Sequence, residues 1–328
     1  MQLKIEISKD DLGYEPDKVK SLLKKLRPLR KHATYSHLDS IEVYFLFDRG
    51  DIDELSLTII WRVLKSCLVL PCGVTVYYRG TSKRDFDERH FFDSLTGKRN
   101  LIYTRAIPIH YGTFSPVRPT KESNQNENLN KALAQVTKEI LKPGNEFHGE
   151  IRNQMVECIQ NAYDHSESKR AESAGILCSV KDGFLDFSIA DMGQGVKKSF
   201  LANQILHRKF SGLHDTEVLR AATDKGISCN PFHARNPQYV YPNGGIGLYY
   251  LKEFVRFHPG SRLVIMSGEG YYYMQYGRQH PRTAALVSWP GTIVHFRTKL
   301  DQEKSAGYTK LMGEFLEEFD ARPLEKAL

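Results

Sequence analysis

At 328 residues the chain exceeds one typical domain, so two folding units are expected. A hydrophobic content of 41% is enough for a proper core, and a charged content of 26% is ordinary for a soluble protein. The net charge of +7 and a pI near 9.0 favour an acidic partner, with nucleotide, nucleic acid and anionic membrane all fitting. No apolar run approaches the length needed to cross a bilayer. The first residues, Met1 to Asp11, lack the basic-then-apolar layout of a secretory signal. Five cysteines (Cys67, Cys72, Cys158, Cys178, Cys229), with no CxxC pair, are expected to be reduced thiols of a cytoplasmic protein.

Leu3, Ile5 and Ile7 alternate with polar residues and predict a first strand. From Pro16 to about Lys31, Val19, Leu22, Leu23 and Leu26 fall at helical spacing with basic residues around them. That pattern fits a solvated amphipathic helix better than a nucleic-acid or membrane helix. Ile41 to Phe47 is dense in apolar and β-branched residues and predicts a buried strand. Asp51 or Asp53 then caps a helix to about Cys67, and Gly73 to Tyr78 reads as another strand. Strand, helix and strand predict a small α/β unit with at least one parallel pair. Between Arg79 and Asn100, Arg84, Arg89, Lys98 and Arg99 lie near Phe86, Phe91 and Phe92. Such interleaving can bind single-stranded nucleic acid, although Asp85, Asp87, Glu88 and Asp93 offset the charge and a docked surface loop is the plainer reading.

The Pro-, Ser-, Thr-, Asn- and Gln-rich stretch 112–130 reads as a linker, giving an N-terminal unit at 1–125, a second unit at 126–300 and a tail at 301–328. In the second unit, Leu129 to Leu141 looks helical and ends at Pro143 and Gly144. A helix follows over about Phe147 to Ser166. Strands at 175–180 and 184–190 are joined by Asp182 and Gly183, a strong hairpin signal. Residues 196–243 form a long connection with helical pieces. A helix at 246–257 precedes strands at 262–267 and 270–275. Residues 284–289 extend that region, a last strand follows at 292–298, and a short amphipathic helix lies at 305–319.

On the helix that carries Met155 to Ser166, Glu157, Asn161 and Asp164 fall at i, i+4 and i+7 on one face, while Val156, Ile159 and Ala162 can turn toward a core. A carboxylate one turn before a carboxamide is a plausible way to hold a hydrated metal ion. Two glycine-bearing stretches follow: Asp191, Gly193 and Gly195 after a strand, then Asn243, Gly244, Gly245, Gly247 and Leu248 at the start of a helix. Gly291 to Phe296 then reads as a turn entering a strand. These four stretches, in this order over residues 145–298, resemble the GHKL ATPase superfamily of gyrase-type topoisomerases, the large heat-shock chaperone, histidine kinases and mismatch-repair ATPases. The family's N box lies over Glu157 to His165, its DxGxG box over Asp191 to Gly195 and its GxGL box over Gly245 to Leu248.

The resemblance implies a Bergerat-type α/β sandwich, a mixed sheet with helices on one face, behind the small N-terminal α/β domain. It also implies ATP and Mg²⁺ as ligands. Asp191 would accept a hydrogen bond from the adenine amine, and Thr292 would hold a water between Asp191 and the base. Gly193, Gly195, Gly244, Gly245 and Gly247 let backbone pass close to nucleotide, and a helix N-terminus can meet phosphate oxygens. Asn161 would be the Mg²⁺ ligand, since this ion keeps several waters and takes few protein ligands. Glu157 would be the general base toward water. Asp164 and His165 would position waters or phosphates. Lys225 and Ser228, late in the connection that is the family's lid, are candidates for closing on phosphate. Tyr249, just after the GxGL box, stands where many members have a small residue.

Only about thirty residues follow the last strand, so the transducer domain of the topoisomerases, mismatch-repair proteins and chaperone is not expected. No phospho-acceptor pattern surrounds His148. The leading expectation is an ATPase whose lid closure changes a protein partner or a homodimer contact. Alternatives are a serine or histidine kinase of the same fold and a non-hydrolysing ATP-dependent regulator that binds nucleic acid. No membrane partner is expected.

Overall fold

A computed structural model describes residues 2–30, 40–48, 51–67, 73–78, 109–114, 141–142, 144–165, 174–191, 193–202, 204–225, 227 and 247–320. The basic and aromatic stretch 79–100 and all but the last residue of the helix expected over Leu129 to Leu141 lie outside these residues.

The N-terminal unit holds β1 (Gln2–Ser8), α1 (Pro16–Arg30), β2 (Ser40–Leu46), α2 (Glu54–Cys67) and β3 (Gly73–Tyr78). Its strands lie in the order β1-β2-β3, and both pairs are parallel. Pro16 opens α1, where a missing N–H costs nothing because the first turn has no carbonyl to meet it. Asp53, not Asp51, caps α2: its carboxylate accepts from the Ser56 N–H at 2.9 Å and the Ser56 hydroxyl at 2.6 Å. Ile5, Ile7, Ile41, Val43 and Phe45 alternate onto the face buried against the helices.

The second unit is built on β4 (Ile109–Phe114), β5 (Ala174–Lys181), β6 (Phe184–Asp191), β7 (Arg262–Gln275) and β8 (Arg282–Lys299), in the order β4-β5-β6-β8-β7. Every neighbouring pair is antiparallel, so this sheet is not the mixed sheet expected. β4 pairs with β5 although its residues precede 126 and reach into the stretch read as a linker. Its central Gly112 reads as a turn residue in sequence but sits in an edge strand here. The pairs of short strands expected over 262–275 and 284–298 are two long strands. A register irregularity between Ser267 and Gly270 produces the apparent break in β7. The hairpin at Asp182 and Gly183 forms as expected, with φ of 53° and 76°.

The connecting helices are α3 (Glu146–His165), α4 (Gly195–Leu201), α5 (Gln204–Phe210), α6 (Asp215–Ala222), α7 (Gly247–Phe257) and α8 (Ala306–Asp320). Helices α3, α7 and α8 of the second unit pack on one face of the antiparallel sheet, and α1 and α2 of the N-terminal unit cover the other. Alternate residues decide the partner. Leu185, Phe187 and Ile189 of β6 pack with Phe147, Ile151 and Met155 of α3 and Leu251 and Phe254 of α7. Ala190, Val264, Met266 and Ile293 face the other way, into one core with α1 and α2. α2 therefore lies between two sheets, and its residues from Glu54 to Leu64 are all buried, with no solvent face.

The α3 and α7 layer centres on Phe254. Its ring lies 5.7 Å from Phe147, 4.3 Å from His258 and 5.8 Å, edge on, from Tyr308 of α8. Phe254→Ala would empty a site that has no exposure. We expect a loss of about 3–5 kcal/mol, read as a lower denaturation midpoint in urea.

Candidate functional site

The buried stripe of α3 runs through Ile151, Met155, Cys158, Ile159 and Ala162 and holds the helix on the sheet. That leaves Glu157 and Asn161 half-buried along its margin. Helix α7 begins against them. A Cβ added to Gly247 would stand 2.7 Å from Glu157 Oε2 and 3.3 Å from Asn161 Nδ2. Only a residue without a side chain lets the start of α7 approach this closely. Its first N–H groups, which have no partner within the helix, thus begin beside a carboxylate and a carboxamide.

Asp191 ends β6 on the face shared with Leu185, Phe187 and Ile189. Its Oδ1 accepts from the backbone N–H of Gly193 at 2.7 Å and of Thr292 at 3.1 Å. The pairing of Ala190 with Ile293 brings Thr292 there. Burial pushes the Asp191 carboxyl up to about 7, against the two N–H donors and the charge of Arg62 on α2. Thr292 thus reaches Asp191 through its backbone N–H, where the resemblance implied a residue holding a water between Asp191 and the base.

Two turns fix this corner. Gly291 has φ +84°, and a Cβ on it would stand 2.7 Å from Asp191 Oδ1 and closer still to the Asp191 carbonyl. Gly195 has φ +76°, and its Cβ would stand 2.7 Å from Ser267 Oγ. The Ser267 hydroxyl donates to the Gly291 carbonyl at 3.0 Å and accepts from Val196 N–H at 2.9 Å. Gly195 is therefore demanded by a protein contact, whatever it does toward a ligand. Neither Gly291 nor Ser267 was singled out from the sequence as a site residue. A serine at the edge of a strand irregularity and a glycine before a strand carry no signal until the strands are paired.

A cleft of about 820 Å³ opens beside the same glycines. Gly193, Gly195 and Gly291 line it together with Arg27, Lys198 and Trp289, on the α1 side of the sheet. Asp191, Glu157 and Asn161 are not among its lining residues.

Of the connection expected to be a lid, the first part is packed. Phe200, Phe210, Val218 and Ala222 of α4, α5 and α6 share a small core. Asp215 at the start of α6 accepts from Glu269 N–H at 2.7 Å, which ties α6 to β7. Lys225 is exposed in the turn after α6, next to Asp224, which lies 3.9 Å from Lys252 of α7. Leu248 packs between two cores at the start of α7. Asp164 and His165 lie in the last turn of α3, with side chains outside those described. Ser228, Gly244 and Gly245 lie outside the described residues. Cys158 and Cys178 are buried free thiols that burial pushes upward, which makes them packing residues.

Among the described residues no group of three or more His, Cys, Asp or Glu side chains could hold a metal ion. No helix of the described residues is long and apolar enough to cross a membrane. Neither any protein-family model nor any curated protein matches this chain.

Proposed function

We propose that the protein binds ATP with Mg²⁺ and hydrolyses it, and that its nucleotide state regulates contact with a protein partner or a second copy. The observation that carries this reading is the close approach of the glycine that begins α7 to Glu157 and Asn161 of α3. The polar margin of α3 touches the glycine that begins α7, and the buried Asp191 ends the strand that runs beneath both. A triphosphate needs bare N–H groups at its tail, and a purine amine needs a fixed acceptor. α7 begins with the first, and Asp191, held by two N–H groups, is the second.

Mg²⁺ fits the donor set, because a hydrated ion that also binds phosphate oxygens needs few protein ligands. Asn161 would hold it, and its charge would offset that of the phosphates. Glu157, half-buried one turn earlier, would accept the proton of an attacking water. The chemistry would run in the cytoplasm, where free thiols such as Cys158 persist.

The test is calorimetric titration with ATP and Mg²⁺ alongside a phosphate-release assay. Glu157→Ala should leave ATP affinity within about twofold and lower phosphate release by about a hundredfold or more. Equal release by the variant would remove Glu157 as the base, and no heat from the unaltered protein would remove ATP as the ligand.

A further inference from the structure

The sheet face turned toward α1 and α2 is apolar at one end and ionic at the other. Leu177, Ala190, Val264, Met266 and Ile293 make the apolar end. At the other end the strand register sets Asp186 beside Arg297, Ser188 beside His295 and Arg262 beside Arg297. The N-terminal unit meets this end with Tyr14 and with Asp53 and Glu54 at the start of α2. Arg262 stacks 3.7 Å over the Tyr14 ring, and the Tyr14 ring lies 5.3 Å from that of His295. Ser179 donates to Glu54 Oε1 at 3.3 Å.

Within the seam, Ser188 Oγ lies 2.6 Å from His295 Nδ1. His295 Nε2 stands 3.5 Å from Asp186 Oδ1, and Arg297 Nη1 stands 3.5 Å from Asp186 Oδ2. Asp186 is 1% exposed and His295 wholly buried. Both Asp186 oxygens, His295 Nε2, Arg262 Nε and the Tyr14 hydroxyl are buried with no hydrogen-bond partner.

Charge counting picks out one proton. The guanidinium groups of Arg262 and Arg297 face the three carboxyls of Asp53, Glu54 and Asp186, so one bound proton balances the seam. Asp53 keeps two donors from Ser56, and Glu54 keeps one from Ser179. Asp186 has no donor within hydrogen-bonding geometry. We propose that Asp186 binds this proton, and that the grip of the N-terminal unit on the sheet is tightest while it does. Ionising Asp186 would set a third buried anion against Asp53 and Glu54 and loosen the start of α2. This inference is independent of any nucleotide.

The direction with pH follows from Asp186, Asp53 and His295. Burial, then the neighbouring Glu54, pushes Asp186 from 3.8 up to about 8, against Arg297 and Arg262. Its contribution is full below its unfolded value and is lost as pH rises through about 8. Burial pushes His295 well below 6.5, and Arg262 and Arg297 act in the same sense, so its contribution is lost as pH falls below 6.5. Burial also raises Asp53, which acts in the same sense as Asp186; His295 opposes them below 6.5, and above 6.5 only the carboxyl effect remains, with Asp186 the group that carries it to about 8.

Hydrogen exchange of α1 and α2 amides in the full chain, corrected for intrinsic rate, tests this from pH 5.5 to 9. Protection should hold steady to about pH 6.5, then fall by up to about tenfold per pH unit to about pH 8. Asp186→Asn, which imitates the protonated acid in shape, should flatten most of that fall, above all its upper part toward pH 8. A flat profile in the unaltered protein, or the same slope in the variant, overturns the proposal. If the variant does not fold, the carboxyl carbon shift of Asp186 in the unaltered protein decides. Titration near neutrality supports the assignment, and an ionised carboxylate at pH 6 refutes it.

Discussion

Asp191→Asn is expected to weaken ATP binding by about a hundredfold, or about 3 kcal/mol. The substitution is nearly isosteric and keeps Oδ1, so the N–H bonds from Gly193 and Thr292 survive. What changes is the second terminal atom. A carboxylate oxygen accepts from the adenine amine, whereas an amide NH₂ opposes it with another donor. A melting temperature within a few degrees of the unaltered protein, about what one lost polar contact permits, would show that the fold is intact. Affinity in the unaltered protein should also climb as pH rises through about 7, where the Asp191 carboxyl ionises, and level off above it. The Asn variant should lack that climb. Titration calorimetry at several pH values measures both effects, and an affinity unaltered by the substitution would dismiss Asp191 as the base reader.

Gly291→Ala should destabilise the protein by about 4 kcal/mol whether or not any nucleotide binds. Two costs combine. At φ +84° a Cβ strains the backbone, and here that Cβ would also overlap the Asp191 carbonyl and crowd its carboxylate. Relief would require moving β8 away from the end of β6, which would break the Thr292 bond to Asp191. Equilibrium unfolding in urea reads the loss. A change below about 1 kcal/mol would mean that the corner is more yielding than its packing implies.

Periodic segments were legible in the sequence and paired ones were not. The apolar stripe of α3 and the alternation in β1 state their structure locally, and both form within a residue or so of expectation. The hairpin at Asp182 and Gly183 is equally local. β4 was missed because its pairing with β5 spans a long stretch of chain, and Gly112 argues locally for a turn. The long β7 looked like two strands because Gly268 and Gly270 interrupt its pattern at the irregularity. In β6, Asp186 and Ser188 read as the watery side of a half-buried strand, yet both are buried against the N-terminal unit. Nothing local announces a second layer. The candidate site divides in the same way. Glu157, Asn161, Asp191 and Gly247 were singled out by the motif resemblance, but Ser267 and Arg62 emerge only when β6, β7, β8 and α2 are brought together, as does the packing role of Gly291.

The interior position of α2 bears on how the chain can be dissected. A fragment cut at the apparent linker would present Val264, Met266 and Ile293 to water, because their covering lies more than a hundred residues upstream. Such a piece would be sticky and poorly folded, so the two halves visible in the sequence are best purified, mutated and assayed as one indivisible body.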